Sequence, residues 1–251
     1  MRCKYIGVTP LKGSEEDERK LMRTKSSKKT SIVCIILVIL VITLILSYIL
    51  YSKKITPKLH SPIPFTATEL HIKEIKSSHD EDKDGIDDYT DLFEGAKSYI
   101  TTKPIYKSAY YEGGYPKKGY GVCTDVIWNA FENAGYHLKD MVDKDIKENL
   151  DSYNMIDKPD PNIDFRRVKN LKVFFDRNAE ILTTDFSNPE EWQAGDIVVF
   201  TKHIAICSDK RNKDGIPFII HHNGSGAKEA NNIDNYEIVG HYRWTQKINK
   251  K

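Results

Sequence analysis

The sequence predicts an α+β domain preceded by a single transmembrane helix, and three observations predict it. An uncharged apolar run, IVCIILVILVITLILSYILY, fills residues 32–51. Farther on, Cys123, Val126, Ile127, Ala130, Phe131 and Ala134 recur at three- and four-residue spacing, which is the period of an amphipathic helix. Beyond it, short apolar runs broken by polar turns read as a small antiparallel sheet, built from residues around 197–242, on which that helix packs. The 251 residues carry 38 Lys+Arg against 36 Asp+Glu, a net charge of +2. That balance lacks the basic excess of a nucleic-acid-binding protein. Four cysteines, Cys3, Cys34, Cys123 and Cys207, are too scattered for a disulfide scaffold or a close-spaced zinc cluster.

From the N-terminus, residues 1–30 are charged and poor in apolar side chains, the composition of a disordered cytoplasmic tail. Residues 31–51 follow as a transmembrane signal anchor, because a helix over the apolar run spans about 30 Å, the thickness of a bilayer's hydrocarbon. Arg19, Lys20, Arg23, Lys25, Lys28 and Lys29 precede it, whereas only Lys53, Lys54 and Lys58 follow as closely. Positive charge stays inside, so the N-terminus is expected in the cytoplasm and the rest outside, in a single-pass cell-membrane protein. No small-residue cleavage signature follows Tyr51, and Ile32-Val33 before Cys34 is not a lipoprotein signal. Residues 52–68, with Pro57, Pro62 and Pro64, read as an extended spacer, leaving 69–251 as one extracytoplasmic domain.

That domain opens on an acidic loop, DEDKDGIDDYTD, residues 80–91. Oxygen donors at loop positions 1, 3, 5, 7, 9 and 12, with glycine at 6, are the spacing that a calcium ion requires. Asp80, Asp82, Asp84, the Ile86 carbonyl, Asp88 and Asp91 fill those positions, with Gly85 at the turn. The loop resembles the calcium repeats of dockerins and thrombospondin-type modules, and it predicts a structural Ca²⁺ with no catalytic part. The alternative is a solvated acidic turn, in which like charges repel one another.

The stretch GYGVCTDVIWNAFENAGYHL, residues 119–138, places Cys123 in the first turn of the amphipathic helix, with Gly135 as its C-cap. The positive end of the helix dipole there is expected to favour a thiolate. Residues 192–208, WQAGDIVVFTKHIAICS, read as a turn and two strands, and IPFIIHHNG as a third. Strand alternation puts His203, Ala205 and Cys207 on one face and Ile204 and Ile206 on the other. Two alternatives to a reactive Cys123 are inert packing and a disulfide to Cys207.

A cysteine at a helix start, then GDIVVF, HIAI and a strand ending in histidine, resembles the papain-fold cell-wall cysteine peptidases of the NlpC type. The set GGYP (113–116), GVCTD (121–125), PNIDFRRVKNL (161–171), WQAGDIVVF (192–200) and GHYRW (240–244) resembles the YijF-like bacterial envelope family of unknown function. The first resemblance implies a papain-like domain in which Cys123 is the nucleophile and His203 the general base. It implies that His221 orients the imidazole, with His222 and Asn223 as alternatives, since a one-residue register shift reverses the face. The Cys123 amide and the Tyr120 hydroxyl would bind the oxyanion. Where NlpC-type enzymes carry Asp-Cys-Ser, this chain has Val122-Cys123-Thr124.

Asp125 is expected to stabilise the helix N-terminus or to touch substrate. Arg166 is expected, with Arg167, to open a helix and either hold a substrate carboxylate or pair with an acid of the fold. Tyr110, Tyr111 and Tyr115 around Gly113-Gly114 suggest an aromatic loop. The expected function is a membrane-anchored thiol hydrolase, a peptidase or amidase acting on cell-wall peptide or glycopeptide without a catalytic cofactor. The alternatives are a catalytically inactive, calcium-stabilised surface-binding module, or a thiol acyl or amide transferase.

Overall fold

The computed structural model describes residues 36–49 and 64–245. Residues 36–49 are helical with every side chain exposed. No helix among the described residues is long and apolar enough to cross a membrane. The expected anchor extends past 36–49 at both ends, and those ends, the tail 1–30 and most of the spacer lie outside the described residues.

The folded body begins before position 69. Phe65 and Arg211 exchange both backbone hydrogen bonds at 2.8 Å, and Ala67 is buried. The last residues expected in the spacer are therefore fastened to the sheet.

Helix α1, Asp88–Thr101, carries Asp88 and Asp91 in its first turn, where the helix dipole favours negative charge. It buries Leu92, Ala96 and Tyr99 at four- and three-residue spacing. Helix α2, Cys123–Asn133, starts where Val122 is extended and its amide donates to the Asp125 carboxylate at 2.7 Å. That bond satisfies a donor the helix itself leaves free. Val126, Ile127, Ala130 and Phe131 are fully buried on one stripe. Burial of an aliphatic or phenyl side chain of this kind stabilises by roughly 1.5–3 kcal/mol. The two helices touch backbone to backbone: a Cβ on Gly95 would lie 2.6 Å from the Asn133 Cβ and 2.8 Å from the Ala130 Cα. Two more helices follow, α3 at Leu138–Glu148 and α4 at Val168–Asn178. Arg166 and Arg167 do not open α4. Arg166 ends a 3₁₀ turn, Asp164–Arg166, and Arg167 is the N-cap.

A two-residue parallel pair joins β1, Ile105–Tyr106, to β2, Tyr120–Gly121. The main sheet contains β3 (Glu180–Ile181), β4 (Ile197–Phe200), β5 (His203–Arg211), β6 (Pro217–Asn223), β7 (Gly226–Ala230) and β8 (Ile238–Arg243). Its order is β3-β8-β4-β5-β6-β7, antiparallel throughout. The strands alternate as their period demands. Ile197, Val199, Ile204, Ile206 and Ile220 join the core built with α1 and α2, which includes Cys123. Val198, Phe200, Ala205, Cys207 and Ile219 form a second core with Trp192 and Ile233. The α+β class with an antiparallel sheet behind the cysteine-bearing helix is the observed architecture.

Candidate active site

Cys123 is the first residue of α2, and its side chain is buried between that helix and the start of β5. Burial pushes its thiol up to about 11. The amides of Ile204, Thr124 and Cys123 itself act in the opposite sense, and the Asp125 charge adds to the rise. The helix-start dipole was expected to depress this thiol, and desolvation overrides it. A helix terminus contributes typically 0.3–1 kcal/mol, below one pKa unit at about 1.4 kcal/mol. At neutral pH Cys123 is a thiol. Cys123 and Cys207 are both free, and they belong to different cores, so the disulfide alternative is overturned.

The Ile204 amide that faces the sulfur belongs to the residue after His203. The β5–β6 ladder pairs Cys207 with Ile219 and Ile206 with Ile220. Continued by two residues, that register would set Ile204 against His222, so the sulfur lies where the two strands end together. Three histidines gather there. His203 Nε2 and His221 Nδ1 are 2.9 Å apart, one ring donating and the other accepting. His203 lies nearly parallel to Phe200 and Tyr236, with ring centroids at 6.0 and 5.6 Å, and those two rings meet each other at 4.9 Å. Burial, helped by the His222 charge, pushes His203 down to about 4. Burial, then the charges of His203, Lys228 and His222, push His221 down to about 3. Both rings are neutral at pH 7 and able to accept a proton.

Strand parity divides the three. His203 and His221 fall on the face of Ala205, Cys207 and Ile219, while His222 falls with Ile204, Ile220 and Cys123. The Tyr99 hydroxyl lies 2.8 Å from His222 Nδ1, and Tyr106 meets the same ring edge-on at 5.3 Å. Burial raises the phenols of Tyr99 and Tyr106, and the charges of Asp125 and Cys123 add to both. These two tyrosines border the cysteine. Tyr120 is half-buried, with the Lys107 ammonium 4.9 Å from its ring centroid. The sequence signal for Tyr99 was its place on the buried stripe of α1; its partner on β6 was not legible there.

Asp125 and Arg166 are corrected as substrate candidates. Arg166 donates from Nε to Asp125 Oδ1 at 2.8 Å and from its terminal nitrogen to Oδ2 at 2.9 Å. Trp128 Nε1 adds a bond to Asp125 Oδ1 at 2.9 Å, and the Ala109 carbonyl takes Arg166 at 3.1 Å. Both side chains are buried and fully engaged in holding the cysteine turn. The aromatic loop packs in part: Tyr115 meets Trp128 and Phe165 edge-on and Tyr111 lies under Arg166, while Tyr110 is exposed and its hydroxyl donates to the Asp160 carboxylate.

Residues 93–244 match the family described as a domain of unknown function, DUF1287. The uncharacterized protein YijF of Escherichia coli (strain K12) is 37% identical over 165 residues, which cover 61% of this chain and 80% of that protein. The chain belongs to this family. No solved structure matches it. Cys123, the three histidines, Tyr99 and the Asp125–Arg166 pair all lie within the DUF1287 match, and the acidic loop precedes it.

In that loop, Asp80, Asp82 and Asp84 offer carboxylate oxygens within 4.8 Å of one another. Asp88 departs from the expected ligand set. Its Oδ1 accepts from the Glu81 amide at 2.9 Å and its Oδ2 from the Tyr136 hydroxyl at 2.5 Å. Asp91 is 3% exposed, and burial, then the charges of Asp84, Asp82, Asp88 and Asp80, push it up to about 7. The Ile86 side chain is exposed.

Two openings flank the histidine strand end. One is lined by His203, Asn223, Tyr236, Glu237 and Thr201. The other runs from Met155 and Lys158 past Arg167 and Lys169 to Thr201-Lys202, the turn that carries His203.

Proposed function

We propose that this DUF1287 protein is a thiol hydrolase of papain-like, NlpC-type design. It is held in the cell membrane by the run 32–51, with its N-terminus in the cytoplasm, and cuts amide bonds of cell-wall peptides outside. Cys123 is the nucleophile and His203 the general base: strand parity sets His203 on the opposite face, so to serve as base its ring, on the first residue of β5, must turn past the strand end toward the sulfur, with His221 orienting it through their shared hydrogen bond. The observation that carries the reading is the meeting of the Cys123 sulfur with the Ile204 amide, one residue from a neutral, hydrogen-bonded histidine pair. A thiol and a neutral imidazole call for general-base catalysis rather than a resting ion pair. The imidazole takes the S–H proton as sulfur attacks the carbonyl carbon. The Cys123 amide at the helix start stabilises the oxyanion. The proton returns to the leaving amine, and water then hydrolyses the thioester. The cleft beyond Lys202 mixes Lys158, Arg167 and Lys169 with Asp157, Asp160 and Asp164, a lining suited to a peptide bearing both charges rather than to a polyanion.

The test is cleavage of purified muropeptides by the full chain in detergent, comparing Cys123→Ala, His203→Ala, His221→Ala and His222→Ala. Cys123→Ala and His203→Ala should abolish turnover, with His222→Ala much milder. Loss in His222→Ala with His203→Ala unaffected would move the base to the Tyr99-held ring on the cysteine's own face. Undiminished turnover in Cys123→Ala would dismiss thiol catalysis. One observation favours a second reading, a surface-binding module: the sulfur is buried and protonated at rest. Under that reading muropeptides bind with equal affinity to the wild type and Cys123→Ala, and no product forms.

A further inference from the structure

The acidic loop contains a group that hydrogen bonding leaves unused. Asp91 Oδ2 is buried and has no hydrogen-bond partner, although the side chain is 97% sequestered at the first turn of α1. An unpaired buried carboxylate oxygen is costly unless something positive meets it. Asp91 is the twelfth residue of the loop that opens at Asp80, and the charges acting most strongly on it belong to Asp84, Asp82, Asp88 and Asp80, so it faces the acidic cluster.

The cluster has the dimensions of a hard-cation cage. Oxygens held at about 2.3–2.6 Å from one calcium ion lie at most about 5 Å apart, and those of Asp80, Asp82 and Asp84 fall within 4.8 Å, while Asp91 stands outside that group and would close on the ion from the first turn of α1. Asp88, at loop position 9, is held by the Glu81 amide and the Tyr136 hydroxyl, and position 9 is the one that commonly reaches calcium through water. The loop also leans on the catalytic helix. Gly135, just past the end of α2 at φ 78°, lies so close to Asp82 that a Cβ there would be 2.9 Å from the Asp82 Cβ.

We propose that Asp80, Asp82, Asp84, the Ile86 carbonyl and Asp91 bind one calcium ion, which fastens the 80–91 loop to the start of α1 and the end of the cysteine-bearing helix. The site is structural and independent of the thiol chemistry. It selects calcium over magnesium because magnesium demands tighter octahedral geometry and keeps its own water.

The test is thermal unfolding of the full chain in detergent, with EGTA, with calcium chloride or with magnesium chloride, alongside calorimetric titration. Calcium at a hundredfold excess over Kd should raise the unfolding midpoint by roughly 5–10 °C. Magnesium at the same concentration should raise it far less. Asp82→Asn should lose the calcium shift. Asp91→Asn should also lose it, and in EGTA should melt at or above the wild-type midpoint, because a repelling charge has gone. No binding heat and equal midpoints in calcium and EGTA would overturn the proposal. So would an equal shift with magnesium, or an Asp91→Asn variant that keeps the calcium response.

Discussion

Asp125 and Cys123 stand two residues apart at the start of one helix, in opposite conditions. Asp125 is wholly buried yet accepts from the Val122 amide, Trp128, and Nε and one terminal nitrogen of Arg166. Asp196 repeats the pattern on the sheet, taking the Gln193 amide, His241 and Arg243, while Trp192 stacks on His241 at 3.8 Å. Around Cys123 the accounts stay open: a protonated sulfur, His221 Nε2 buried without a partner, and two histidines held in their neutral form. Satisfied buried charges hold a fold in one shape. Unsatisfied ones cost stability, and their gathering at one strand end marks it as the candidate site.

The contrast is broken or sharpened by four measurements. The largest effect belongs to Cys123→Ala, which should lower muropeptide turnover about 1000-fold or more while changing urea stability by about 1 kcal/mol or less. Equal losses in both would make Cys123 a packing residue. Next, Asp125→Ala should cost about 3–5 kcal/mol in urea unfolding, because it strands the buried Arg166 guanidinium. Adding Arg166→Met should recover part of that loss, and failure to recover it would mean that the pair does not hold the cysteine turn.

Smaller effects follow. Tyr99→Phe leaves His222 Nδ1 buried and unpaired, at about 1–3 kcal/mol. Under the proposed assignment the pH–rate profile keeps its shape, so a shifted profile would implicate His222 in proton transfer. The smallest and most diagnostic effect is on stability against pH. His203 and His221 titrate near 4 and 3 when folded, below the ordinary value of 6.5. Between those limits the unfolded chain binds more protons, so stability is full above about 6.5 and falls as pH drops toward 4. Cys123 is raised from 9 to about 11, so the unfolded chain loses its proton first and stability declines again across that alkaline window. His203→Asn should flatten the acid limb and Cys123→Ser the alkaline one, as read from unfolding midpoints across pH.

The local pattern of the chain determined a great deal. Three- and four-residue spacing placed α2 at Cys123, alternation and turn residues placed β4, β5 and β6, and the acidic spacing singled out Asp80, Asp82 and Asp84, whose carboxylates gather. Each of those features is a short-range periodicity or a ligand interval, which a sequence carries directly. Partners distant along the chain were not legible. Arg166 finds Asp125 across 41 residues, and Tyr99 finds His222 across 123. Nor did the chain reveal which ring shares the cysteine's face, since His221 and His222 differ by one step of a two-residue period. Tertiary structure also decided the charge of the thiol. A helix start favours the thiolate by a fraction of a pKa unit, and removal from water opposes it by more, a quantity that exists only once β5 has closed over α2.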